Sequence, residues 1–240
     1  YFLRHDIGWT KARVIPNGAD HLGAGSARSL KGPERKVRVG FLARMGESEV
    51  EYKGSGSLLE LASRFRDDPG VEFCAMGRGS AADAEDFRAA GVNVILNASE
   101  DEKRKFFDDV DVFFSPSRWE GFNLPLVEAQ HAGCAAMAFD VGAHPETTPF
   151  VMRDLDDVEV LLRHWIGDRQ ELFEAGERCR RFVDERFTWD RSAARFAELL
   201  DEVAPRSSSG PVLWRRVRVV FRREGFAGVA RRLLRKLRPS

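Results

Sequence analysis

The chain is 240 residues long, 43% apolar and 32% charged, and its 38 Lys and Arg balance 38 Asp and Glu. Such a composition fits a soluble globular protein able to bury a core, and no apolar run approaches the roughly 18 residues that span a bilayer. Three scattered cysteines argue against a disulfide framework and for a reducing compartment, and no Cys/His cluster has zinc spacing.

The neutral total hides an asymmetry. From Arg206 onward eleven Lys and Arg face the single acid Glu224, a local charge of +10, so residues 1–205 carry −10. No signal peptide opens the chain. Tyr1 is not Met, and the opening reads like the end of another domain. Residues 1–36 are therefore expected to be an interdomain segment of a longer polypeptide.

In chain order, Val37–Ala43 predicts a strand, Gly54–Asp67 an amphipathic helix, Val71–Met76 a second strand and Ser80–Ala90 a second helix. Val92–Leu96 is a third strand. Ser99 and Glu102 form a capping box for a helix running to Asp109. Val112–Ser115 is a fourth strand, Leu124–Ala132 a helix and Cys134–Phe139 a fifth strand. Beyond Asp154 the pattern is helical only, over Leu155–Ile166, Arg169–Glu185 and Arg191–Val203. This alternation implies an α/β fold, a doubly wound parallel Rossmann-like sheet spanning residues 37–203, with ligands bound at the carboxyl ends of its strands.

Residues 204–240 read as a Pro/Ser linker and a basic amphipathic tail. Two helical segments, broken at Gly225, carry apolar stripes from Trp214 to Phe221 and from Phe226 to Leu237, with arginines on the other face. Over 212–238 that pattern suits an anionic membrane surface. The rival readings are packing on another domain, disorder, and nucleic acid binding, the last of which is the less expected partner.

The most informative stretch is Ser115-Pro-Ser-Arg-Trp-Glu120-Gly121-Phe122-Asn123-Leu124-Pro-Leu-Val-Glu128-Ala. A strand ends, a loop carries Glu120, and a helix opens with Asn123 as N-cap and Pro125 in the first turn. The turn's N–H groups and the helix dipole make a cradle for a diphosphate. Glu128, one turn further in, can accept hydrogen bonds from two vicinal ribose hydroxyls, each worth about 1.5–3 kcal/mol. Glu120 can face a sugar.

Two glutamates eight apart are a weak signal alone. In order with the small-residue strand Ala132–Ala138 and with Val141-Gly-Ala-His-Pro-Glu146, they resemble the group 1 (family 4) glycosyltransferases of the GT-B fold. Lys11-Ala-Arg-Val-Ile-Pro-Asn-Gly-Ala-Asp20 is similar to that family's segment between acceptor and donor domains, so the resemblance covers about Lys11 to Val203. It implies that the chain is the carboxy-terminal, donor-binding half, and that an amino-terminal acceptor domain lies elsewhere. It implies sugar transfer from a nucleotide-sugar with retention, without a metal or other cofactor, by a hexosyltransferase-type enzyme of glycan biosynthesis. Arg44 and Lys53 would clamp the diphosphate, and this half alone would be inactive. Location would be cytoplasmic, with peripheral contact to the membrane and an acceptor that is lipid-linked or a cell-surface glycan. A nucleotide-sugar epimerase of the same fold and a non-catalytic docking module are the alternatives.

Three departures from the family pattern stand out. The loop between Arg44 and Lys53 is long and carries Glu47, Glu49 and Glu51, Asn123 stands where a glycine is usual, and Thr147–Met152 lacks the usual Asn-Gly turn. Gly77-Arg-Gly79 resembles a dinucleotide fingerprint, but Asn97 stands where the ribose-binding acid belongs. The better reading is a tight turn whose Gly77, Gly79 and Asn97 approach the donor. Asp109-Val-Asp111 and Asp154-Leu-Asp156 spell metal-site pairs at structural positions, His131 sits on a core-facing helix side, and His144 is a weak catalytic candidate.

Overall fold

The computed structural model describes residues 12–23, 28–30, 32, 34–45 and 51–203. The tail and its membrane-binding expectation lie outside them, as do Glu47 and Glu49. Residues 16–189 form one compact unit. The described residues 12–15 and 190–203 belong to a second, in which Arg13 meets Glu202 at 3.4 Å. Among the described residues no helix is long and apolar enough to cross a membrane.

Six strands form one sheet: β1 (Val37–Arg44), β2 (Val71–Arg78), β3 (Asn93–Leu96), β4 (Val112–Ser115), β5 (Ala135–Phe139) and β6 (Phe150–Met152). Their spatial order is β3-β2-β1-β4-β5-β6, and every pairing is parallel. This is the doubly wound arrangement expected, with its switch point between β1 and β4. The connecting helices are α1 (Ser55–Arg64), α2 (Glu85–Ala89), α3 (Glu100–Asp109), α4 (Leu124–His131) and α5 (His144–Thr147), followed by α6 (Leu155–Gly167), α7 (Arg169–Asp184) and α8 (Trp189–Val203).

Strand alternation divides the core between the two faces. Val37, Val39, Phe41, Val112, Phe114, Ala135 and Met137 meet Leu58 and Leu61 of α1, Phe87 of α2, and Leu162 and Trp165 of α6. Phe113, Cys134, Ala136 and Ala138 point the other way, onto Phe106 and Phe107 of α3 and Leu126 and Ala129 of α4. Burial pushes the Cys74 and Cys179 thiols up to about 12, which suits inert packing groups.

Helix starts follow local chemistry. The Ser99/Glu102 capping box opens α3, and Asp154 and Asp168 cap α6 and α7 through the N–H groups of Asp157 and Glu171. Asp111 accepts from the Arg38 N–H at the amino end of β4, so both Asp-x-Asp pairs are structural. Two elements of the sheet's carboxyl-terminal half had no sequence forecast. The four-residue α5 and the three-residue edge strand β6 are too short to show a period, and β6 exists because Met137–Phe139 of β5 offer it a pairing edge.

Candidate functional site

At the carboxyl edge, beside the β1/β4 switch point, a cleft of about 450 Å³ opens. Arg44 ends β1, Gly77 and Arg78 end β2, Glu100 and Lys103 come from α3, Lys53 from the helical turn before α1, and Pro125 from α4. Its lining carries four cations and one acid, and even with Glu120 and Glu128 paired to Lys53 and Lys103 the balance stays positive, which suits an anion. A second cavity, of about 40 Å³, lies at the amino edge, where the guanidinium groups of Arg28, Arg35 and Arg169 are committed to backbone carbonyls.

Two glycines bring the loops of the site together. Gly54 has φ +71°, and a Cβ there would stand 2.0 Å from the Pro116 carbonyl oxygen, so the Lys53 loop lies directly on the end of β4. Gly142 has φ +54°, and its Cβ would stand 2.2 Å from the Glu120 carbonyl oxygen. The Ala143 N–H donates to that carbonyl at 3.0 Å, and the Arg118 N–H donates to the Tyr52 carbonyl at 3.0 Å. Lys53 and Glu120, 67 residues apart, thereby meet at 2.7 Å, with the carboxylate nearly buried. Glu51, an acid that would oppose phosphate, is turned to solvent, where it pairs with Arg118.

Asn123 is the N-cap of α4 in left-handed geometry, φ +61°. Its oxygen accepts from the Leu126 N–H, and its two amide hydrogens point to Ser115 Oγ at 2.7 Å and His144 Nε2 at 2.8 Å. His144 Nδ1 faces the Phe139 carbonyl at 2.8 Å, so Nδ1 carries the proton and Nε2 accepts. His144 is thus a buried positioning group for the α4 N-terminus. The side chain that replaces the usual glycine is what fastens this turn.

Desolvation first, then the nearby Lys53 ammonium, holds the His144 pKa below its ordinary 6.5, against the opposing pull of the Phe139 carbonyl and Glu120. A lowered folded pKa means that the unfolded chain binds the proton first as pH falls. Stability is then fully present above about pH 6.5 and declines below it, by up to about 1.4 kcal/mol per pH unit until the folded ring titrates. Urea melts at pH 7.5 and 5.0 should show a larger loss for the wild type than for His144→Gln, and equal losses would contradict this role.

Glu128, on α4, is fully buried. One oxygen, Oε1, accepts from Lys103 Nζ at 2.8 Å and lies 2.8 Å from His21 Nε2, while Oε2 has no partner among the described residues. Asn97, at φ +54°, uses its amide on both sides of the Gly79 peptide and its N–H on the Gly77 carbonyl, so it shapes the Gly77–Gly79 turn beside the cleft. Gly121 is open, while Phe122 packs edge-on against Phe187 and Leu124 joins the same apolar cluster. The structure therefore brings Glu120 and Lys53 together, fastens Asn123 to Ser115 and His144, sets Arg44 on the cleft wall and draws Glu128 to Lys103. It turns the Phe122 and Leu124 side chains inward. His131 pairs with Asp184 at 2.6 Å, away from this chemistry. Sequence reasoning missed His21, Arg78, Glu100 and Lys103. Lys103 sits one turn beyond the capping-box Ser99, a position that faces the ligand edge, whereas nothing local marks His21.

A doubly wound parallel sheet with a cationic cleft at its switch point, flanked by buried carboxylates, defines an α/β domain of the Rossmann-like kind used in GT-B proteins. The family model described as "Glycosyl transferases group 1" matches residues 36–165, more than half of the chain, and the chain belongs to that family. It is 26% identical over 210 residues to the MMP alpha-(1->4)-mannosyltransferase of Mycolicibacterium hassiacum, a match covering 80% of this chain and 49% of that protein. The chain thus spans about half the length of that relative. It is similar in fold to a glycosyltransferase from Rickettsia africae, with a TM-score of 0.69 at 16% identity over 85% of this chain and 60% of the other. The Anabaena protein HepE, solved in complex with UDP and glucose, matches with a TM-score of 0.60 at 16% identity over 72% of this chain and 50% of the other.

Proposed function

We propose that this chain is the donor-binding part of a retaining glycosyltransferase that takes a nucleoside-diphosphate sugar. The observation that carries the reading is the cationic cleft at the switch point, with the Lys53–Glu120 pair at one side and the Lys103–Glu128 pair at the other. Arg44 and Lys53, with the backbone of the Gly121–Leu124 turn, stabilise the charge that grows on the departing diphosphate, a preorganised electrostatic role. Glu128 anchors the ribose. Glu120 orients the transferred sugar and, through its contact with Lys53, ties sugar placement to the phosphate clamp. The reading assigns no role to a metal. Acceptor binding falls to residues beyond this chain, and lipid-linked or cell-surface glycans are the acceptor classes to try. This chain alone binds donor without transferring it.

A thermal-shift panel of UDP, GDP and ADP with their common sugars, GDP-mannose and UDP-glucose among them, tests the reading. One base should stabilise the protein, by about 2.7 kcal/mol at a hundred times its dissociation constant. No shift with any nucleotide at millimolar concentration would overturn it.

A further inference from the structure

We infer that His21 is a positioning residue for the donor ribose: in a tautomer fixed by Trp189, it holds Oε1 of Glu128 so that Oε2 is left for ligand hydroxyls. This rests on the donor-site reading above and adds to it a residue from outside the sheet. His21 lies in the short 3-10 turn Asp20–Leu22, 107 residues before Glu128 in the chain.

Three contacts fasten that turn. The Ala19 N–H donates to the Phe187 carbonyl at 2.8 Å, and the Trp189 N–H donates to Asp20 Oδ1 at 2.8 Å. A Cβ on Gly18 would stand 2.2 Å from the Trp189 backbone nitrogen, so the two segments are in backbone contact. The Trp189 indole meets the His21 ring edge-on, and its Nε1–H donates to His21 Nδ1 at 3.3 Å. An indole nitrogen can only donate, so Nδ1 must accept, and the ring proton sits on Nε2. That nitrogen lies 2.8 Å from Glu128 Oε1.

With Lys103 Nζ donating at 2.8 Å and the His21 ring at the same distance, Oε1 is held from two sides, while Oε2 is buried with no partner among the described residues. A buried carboxylate oxygen without a donor is costly in a folded protein. Vicinal hydroxyls entering beside Lys103, which lines the cleft, supply the missing donors. His21 thus orients Glu128 without itself touching the ligand, which makes it a positioning residue.

The test uses the purified chain and calorimetry with UDP, GDP and ADP, each also as its 2′,3′-dideoxy form. For the base that binds, the wild type should prefer the ribonucleotide roughly a hundredfold, about tenfold per hydroxyl. His21→Ala should shrink that preference by about tenfold while leaving the dideoxy affinity within about twofold. His21→Gln, whose amide can donate in place of the imidazole, should restore most of it, and Trp189→Phe should lower it partway. Equal losses for ribo and dideoxy forms in His21→Ala, or an unchanged preference in a variant whose melt shows it folded, would overturn the inference and leave the donor site standing. An unchanged preference in Trp189→Phe would overturn the tautomer assignment. Failure of all three nucleotides to bind the wild type would overturn the donor-site reading and this inference with it.

Discussion

Glu128→Ala is expected to weaken binding of free nucleoside diphosphate and of nucleotide-sugar alike, by about 3–6 kcal/mol or roughly 10²–10⁴-fold, because both ligands carry the ribose whose two hydroxyls the carboxylate accepts. The effect is large because Glu128 is fully buried and its Oε2 has no partner among the described residues, so the hydrogen bonds form away from competing water. Lys103, left without its acceptor, keeps 18% side-chain exposure and can turn to solvent, so the fold should survive. Glu120→Ala should behave differently. Its carboxylate contacts Lys53 and lies beside the Gly142 loop, so the free nucleotide should bind nearly as before, and only the increment due to the sugar should be lost. Calorimetric titration of both mutants with both ligands decides the matter. Equal losses throughout would refute this division of roles.

Gly142→Val is expected to destabilise the protein by about 3 kcal/mol or more and to abolish the sugar-dependent part of binding. A β-branched residue at φ +54° is strained by itself, at about 1–2 kcal/mol. Its Cβ would also stand 2.2 Å from the carbonyl oxygen and 3.0 Å from the nitrogen of Glu120, which are backbone atoms that cannot swing aside. Relief requires the Glu120 loop to move, which would break the Ala143-to-Glu120 hydrogen bond and displace the carboxylate from Lys53. For a unit of this size the melting temperature should fall by roughly 10 °C. Gly56→Ala is the control. A Cβ at Gly56, within α1, meets nothing within 4 Å, so that change should be neutral or stabilising by up to about 1 kcal/mol. Similar melting temperatures for Gly142→Val and the wild type would show that the loop accommodates the side chain and that the glycine is dispensable.

The sequence by itself determined the elements and their order. Strand and helix periods, the Ser99/Glu102 capping box and the Asn123–Pro125 helix start are local patterns, set by residues within a turn or two of one another, and they stand close to where they were read, except that the helix expected over Ser80–Ala90 is a 3-10 turn at Ala82–Ala84 followed by α-helix only over Glu85–Ala89. The parallel doubly wound sheet follows because short apolar strands joined by helices have few other ways to cover both faces. Only the tertiary structure decided which side chains meet. Lys53 reaches Glu120 because two glycines let three loops lie backbone to backbone. Asn123, which local chemistry marks as a cap, also fastens to His144, 21 residues away, because β5 ends beside β4. His21 reaches Glu128 because Phe187 and Trp189, the latter 168 residues further along the chain, hold its turn. Contacts of that kind depend on crossings of distant backbone segments, and no periodicity or cap in the sequence encodes them.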